Sequence, residues 1–253
     1  MQDPTKRFGD RAENYAKYRP GYPDKMLAHL GTLLPPGAIV ADIGSGTGIL
    51  TLRLLDQGYV VYAVEPNEPM RQEADRALSG HLGFRSVNGT AEATGLEDQS
   101  IDFVTCAQAF HWFDPEKTSV EFRRILKPGG LTALIWNERE EQASDVGREY
   151  DDLLQRMVPD YKRANHRRIR SEEIGRFFTP GDVRSVTFRN HQVLDREGFR
   201  GRLLSSSYVP NVGHPGHDEI VESADRIFVK HAVGGDVRIE YETKLYLGRW
   251  EVR

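Results

Sequence analysis

Apolar residues recur along the first half of the chain with two alternating periods. Residues 38–42 form a short apolar run that ends in an acid and meets a glycine-rich stretch, the pattern of a buried strand entering a tight turn. Leu50, Leu54 and Leu55 then fall at helical spacing within 49–57, and Gly58 stops that helix. The alternation continues with a strand at 59–64 closing on Glu65 and a helix at 68–78 with Pro69 in its first turn. Strands follow at 84–87 and 101–107. A helix at 115–126 is opened by Asp114 as cap and Pro115 at its first position, and a fifth strand at 131–136 follows Pro128-Gly129-Gly130. This order predicts an α/β, Rossmann-like fold: a mostly parallel sheet with helices on both faces.

The second half changes character. Helices are predicted over 144–158, 171–178, 196–206 and 217–231, with Thr179-Pro180-Gly181 stopping the second. Residues 183–193 and 237–246 alternate as strands do. The last is expected to be antiparallel, on an exposed edge or in a hairpin. The expected organisation is a cofactor-binding core with an N-terminal lid helix over 1–137, a small helical cap insertion over 138–180, and 181–253 completing the sheet.

Composition narrows the function classes. Of 253 residues, 38% are hydrophobic and 28% charged, with a formal charge of −4. This is a globular composition, and nothing in it favours nucleic acid or an anionic membrane, both of which need a positive face. A small-molecule partner is expected instead. The single cysteine, Cys106, cannot form an internal disulfide, and it has no companions at zinc-ligand spacing, so no metal site is expected. With no apolar h-region in residues 1–10 and no apolar stretch near the roughly 20 residues that span a bilayer, a cytoplasmic protein is expected. The basic run 162–170 is expected to be a solvated face.

The sharpest motif is Asp42-Ile43-Gly44-Ser45-Gly46-Thr47-Gly48, between the first strand and its helix. Glycines serve where the backbone turns tightly and a ligand approaches the main chain. Glu65 ends the next strand about 20 residues on, where an acid can accept hydrogen bonds from ribose hydroxyls. Dinucleotide sites read G-x-G-x-x-G/A, and Ile49 fills the position that needs the last small residue. The spacing found, G-x-G-x-G behind an acid, suits an amino-acid tail: Asp42 for the ammonium, free backbone amides for the carboxylate.

These segments, with Glu65-Pro66-Asn67 and Met70, Gly89-Thr90-Ala91-Glu92, and Leu126-Lys127-Pro128-Gly129-Gly130, resemble the successive motifs of class I S-adenosylmethionine-dependent methyltransferases over residues 8–136. The run Gln108-Ala109-Phe110-His111-Trp112 and the opening Tyr15…Tyr18-Arg19-Pro20…Tyr22-Pro23 resemble the branch related to trans-aconitate methyltransferase. The resemblance implies S-adenosyl-L-methionine as cofactor and S-adenosyl-L-homocysteine as product. It implies that Gly44 and Gly46, with Ser45 between them, border the methionine part. It also implies that Glu65, beside Pro66, holds the ribose and that Met70 lies against the adenine or ribose face. Ala91 and Glu92 would then read the adenine edge, with Gln108 and Ala109 beneath the sulfonium.

On the acceptor side, Phe110, Trp112 and Phe113 are expected to form an aromatic wall beyond the fourth strand, with His111 as a general base or a pocket-shaping residue. Phe8, Ala12, Tyr15 and Tyr18/Arg19 lie near helical spacing and predict a lid. In it Tyr15 would touch cofactor or substrate and Arg19 would bind a carboxylate. Ser207 and Tyr208 are candidates to present hydroxyls to a polar substrate. The leading expectation is methylation of a small molecule, on a carboxylate oxygen. Carbon methylation of a quinone-like ring, a nicotinamide-dependent oxidoreductase and a non-catalytic cofactor-binding protein stay open.

Overall fold

The computed structural model of the chain describes residues 12–159, 161 and 171–251. Expectations placed on Phe8, on residues 1–10 and on the basic run 162–170 lie outside the described residues. Among the described residues there are seven strands: β1 (Ile39–Ile43), β2 (Val60–Val64), β3 (Phe84–Val87), β4 (Ile101–Ala107), β5 (Leu126–Arg139), β6 (Gly181–Leu194) and β7 (Val237–Trp250). They form one sheet in the order β3-β2-β1-β4-β5-β7-β6, with β1 to β5 parallel and β7 antiparallel to both its neighbours. The order reverses between β1 and β4, and this switch point is where open α/β sheets leave a crevice.

The described helices include α1 (Ala12–Tyr18), α2 (Asp24–Gly31), α3 (Ile49–Leu55), α4 (Glu68–Leu78), α5 (Pro115–Ile125), α6 (Asp145–Met157), α7 (Ser171–Phe177), α8 (Arg196–Leu204) and α9 (His217–His231). Alternate residues of the strands supply two cores. Val40, Val61, Phe103 and Leu245 pack with Leu27 and Leu30 of α2 and Leu54 of α3 on one face. Ile43, Val104, Cys106 and Leu134 pack with Phe122 of α5 and Phe177 of α7 on the other. Local chemistry fixes the helix starts: Asn67 caps α4 through the Met70 amide, and Asp114 caps α5 through the Glu116 and Lys117 amides.

Three features differ from the sequence reading. β7 is an interior strand and β6 the edge. Its alternating polar positions are met by charge pairing along the sheet, as in Lys244 Nζ to Glu138 Oε2 of β5 at 2.8 Å. β5 is longer than 131–136 because it starts at Leu126, Gly129 taking φ +79°, and runs on to Arg139, where β7 still supplies partners. The helices expected in one cap divide. α6 joins α8, α9 and the first half of β7 around Tyr150, Phe199, Phe228 and Tyr241, whereas α7 packs under the sheet.

α1 contacts both α4 and α8 and so bridges the crevice. Tyr18 Oη donates to Glu197 Oε1 at 2.6 Å, Lys17 pairs with the same oxygen at 2.8 Å, and the Tyr18 ring rests against Gly201. A Cβ at Gly201 would overlap that ring close to its root. Gly201→Ala gains about 1 kcal/mol of helix propensity but costs about 1–3 kcal/mol in overlap, so the overlap wins. The expected result is a lower midpoint in chemical denaturation, together with faster proteolysis at α1. An unchanged midpoint would show that α1 is not seated on α8.

Candidate functional site

Gly44, Gly46 and Gly48 all lie at positive φ (+67°, +59° and +83°), a region costly for residues with a Cβ. Gly44 also has no room for a side chain, since a Cβ there would sit 2.6 Å from that of Ala109. The bend after β1 therefore touches the loop after β4. Glu65, at the tip of β2, closes the arrangement: Oε2 accepts from the Gly46 amide at 2.9 Å and Oε1 from the Asn67 amide at 2.8 Å. Burial raises the Glu65 pKa, and those two amides oppose the shift.

Two adjoining cavities lie at the carboxyl ends of these strands. The larger, about 270 Å³, is bordered by Glu65, Pro66, Met70, Ala91, Glu92 and Trp112. The smaller, about 80 Å³, is bordered by Arg19, Asp42, Ser45, Thr47, Asn137 and Arg202. Tyr15, Gly44, Gly46 and Gln108 border both, and Ala109 the larger. Gln108 holds φ +57°, a left-handed backbone rare for a residue with a Cβ. Its amide donates to Ile135 O at 2.9 Å and its Nε2 to Asn137 O at 3.1 Å, so β5 holds it in place.

The candidates from the sequence separate clearly. Those expected around the cofactor, from Gly44 through Ala109, converge on these two cavities. Asp42 is among them but is turned into the fold: 1% exposed, it accepts from Thr51 Oγ1 at 2.6 Å and Thr105 Oγ1 at 2.8 Å. It thereby ties β1 to α3 and β4. Burial lifts its pKa from 3.8 to about 6 against those two hydroxyls. Glu92 Oε1 accepts from the Asp114 amide at 2.9 Å.

The acceptor-side candidates meet only in part. Tyr15 and Arg19 border the cavities, with the Arg19 guanidinium 4.8 Å from the Tyr15 ring centroid. Phe110 is core, packed edge-on against Phe113, Trp136 and Phe177. His111 lies beside Trp112, ring centroids 4.7 Å apart, and borders neither cavity. Ser207 and Tyr208 also border neither, and the Tyr208 ring rests against Tyr161. Sequence reasoning missed Arg202, which is 6% exposed on α8. Its signal was a cation three residues beyond Phe199 on the apolar stripe of that helix.

The donor set fits a nucleoside with an amino-acid tail. Among the described residues, Ser45 Oγ and Thr47 Oγ1 are buried beside the bend with no hydrogen-bond partner, which suits them to a ligand's polar group. Glu65 and Met70 flank the larger cavity, where a sugar and a base would lie.

Two outcomes are expected. Glu65→Ala should weaken S-adenosylhomocysteine binding about tenfold or more in titration calorimetry, because a buried charge-assisted contact is lost. Unchanged affinity would remove Glu65 from the site. For Asp42, a raised folded pKa means that the native state takes up a proton before the unfolded chain does. Stability relative to Asp42→Asn should therefore rise as pH falls from about 6 towards 4, by about 3 kcal/mol at most. Parallel denaturation curves for the two proteins across that window would contradict the assignment.

A model of the methyltransferase domain matches residues 41–134, from β1 to β5. An uncharacterized methyltransferase of Mycobacterium tuberculosis is 39% identical over 156 residues, a match spanning 61% of each chain. An uncharacterized methyltransferase of Geobacillus kaustophilus is 34% identical over 159 residues, spanning 59% of this chain and 72% of the relative. Among solved structures, one described as a type II methyltransferase from Anaeromyxobacter dehalogenans aligns with a TM-score of 0.67 and 25% identity. It covers 92% of this chain and 98% of that one. The Geobacillus match runs across more than two thirds of that relative, and the glycine bend lies at the switch point of the same sheet. On these grounds the chain belongs to the class I S-adenosylmethionine-dependent methyltransferases.

Proposed function

We propose that the chain transfers the methyl group of S-adenosyl-L-methionine to a carboxylate oxygen of a small-molecule acceptor. The observation that supports the cofactor in this reading is the 2.9 Å contact between the Gly46 amide and Glu65, which sets a glycine bend beside a buried acid at the switch point; the carboxylate acceptor is supported by the position of His111 outside both cavities. The bound cofactor supplies an electrophilic methyl on a sulfonium, which an acceptor takes by in-line displacement. The sulfur–methyl bond breaks as an oxygen–methyl bond forms, and the products are a methyl ester and neutral S-adenosylhomocysteine.

The protein's part is alignment and exclusion of water. Glu65 and Met70 would hold the nucleoside, and Gly44, Ser45 and Gly46 the amino-acid tail. Tyr15 on α1 borders both cavities and would cover their junction. A carboxylate acceptor has no proton to lose, so this chemistry asks for no general base. That agrees with the position of His111 outside both cavities. Carbon methylation of a ring, by contrast, would need a base at the junction.

Incubating the protein with S-adenosylmethionine and a panel of trans-aconitate, other small acids, phenols and amines tests the reading. Release of S-adenosylhomocysteine with an acid, and a product heavier by one methylene in mass spectrometry, is the expected outcome. Release with phenols or amines alone would overturn the carboxylate assignment, and release with none would overturn turnover on these acceptors.

A further inference from the structure

The segment that leaves α1 is held by side-chain amides. A helix ends with carbonyls that have no partner within it, and Pro20 cannot continue α1. Gln192 Nε2 donates to Tyr18 O at 3.1 Å. Asn137 Nδ2 and Asn190 Nδ2 both donate to Gly21 O, at 3.0 and 2.9 Å. The three amides stand on β5 and β6, between 116 and 174 residues along the chain from the carbonyls they hold. None of them belongs to a cofactor motif.

Neighbouring groups fix which way these amides face. Thr243 Oγ1 donates to Asn137 Oδ1 at 2.5 Å, and Tyr241 Oη donates to Gln192 Oε1 at 2.9 Å. Asn190 Oδ1 accepts from the His191 amide at 2.8 Å. With each oxygen committed, each NH2 group is turned to the carbonyls after α1. Tyr241 Oη in turn accepts from Arg202 Nε at 3.0 Å, so the donors run one way from α8 through β7 and β6 to the end of α1. The polar part of the other mooring of α1, on α8, is weaker. Lys17 and Glu197 are 61% and 71% exposed there, and an exposed ion pair holds little.

We infer that Asn137, Asn190 and Gln192 form a clamp that keeps α1 seated over the two cavities and so sets how long the cofactor stays bound. Tyr15 of α1 borders both cavities, whereas Asn190 and Gln192 border neither. The latter two are positioning residues, which act on a ligand only through α1. The effect on the cofactor rests on the proposed function; the seating of α1 does not. Where a ligand is held only under a seated lid, its apparent affinity falls with the seated fraction.

Stopped-flow release of S-adenosylhomocysteine, followed by tryptophan fluorescence, and hydrogen exchange of the unliganded protein test this, both well below the unfolding midpoint. Asn190→Asp and Gln192→Glu keep the accepting oxygens and replace only the donors, leaving a carboxylate against a carbonyl. Each should speed release about tenfold and speed amide exchange over residues 15–19. A variant that is merely less stable stays folded under these conditions and releases at the wild-type rate. Thr243→Val keeps every donor but frees the Asn137 amide to turn. It should speed release about threefold, and it decides the matter if neither acidic variant folds. Release within twofold of wild type in every folded variant would overturn the inference. So would faster release with unchanged exchange over residues 15–19, since α1 would then not be the route. Failure of the wild-type protein to bind S-adenosylhomocysteine would strike the proposed function instead, and the exchange comparison would still decide whether the clamp seats α1.

Discussion

The site depends on one buried carboxylate. Glu65 reaches from the tip of β2 across the strand boundary and accepts the amide of Gly46 in the bend after β1. A bend of three left-handed glycines has little intrinsic preference for one shape, and glycine loses the most backbone freedom on ordering. The contact from Glu65 gives that bend a fixed position relative to the neighbouring strand. The second hydrogen bond of Glu65, from the Asn67 amide, sets the start of α4, so that Met70 faces the bend. A ligand crossing from bend to acid would meet surfaces already in place.

Asp42 does for the scaffold what Glu65 does for the site. By accepting from Thr51 on α3 and Thr105 on β4, it locks the switch point across β1, where the crevice opens. A carboxylate kept in so dry a place has a raised pKa, a cost tolerated because it joins three elements at once. Gln108 carries a similar cost at the end of β4, where its strained backbone is held by two hydrogen bonds to β5. Strain and buried charge thus gather at the same end of the sheet.

Most of the core was legible because its signals are local. Period-two and period-3.6 patterns, Asp114 and Asn67 as caps, and the glycine bend lie within a few residues of the structure they specify. The second half was less so. Whether residues 237–250 lie at the edge or inside depends on which strand arrives beside them. The polar positions that suggested an edge are answered by Glu138, about a hundred residues away. His111 and Phe110 sit next in sequence to cavity-lining residues, yet a turn of 3₁₀ helix points Phe110 into the core and His111 beside Trp112. Arg202 was hidden for the same reason: only the docking of α1 on α8 brings it to Arg19.

A crystal structure of the protein with S-adenosylhomocysteine would test the central claim most directly. The account predicts the ribose hydroxyls within hydrogen-bond distance of Glu65, the adenine between Met70 and Ala91, and the amino-acid tail against Gly44 and Ser45. A nucleoside seated anywhere else on the molecule, with the bend and Glu65 untouched, would contradict it.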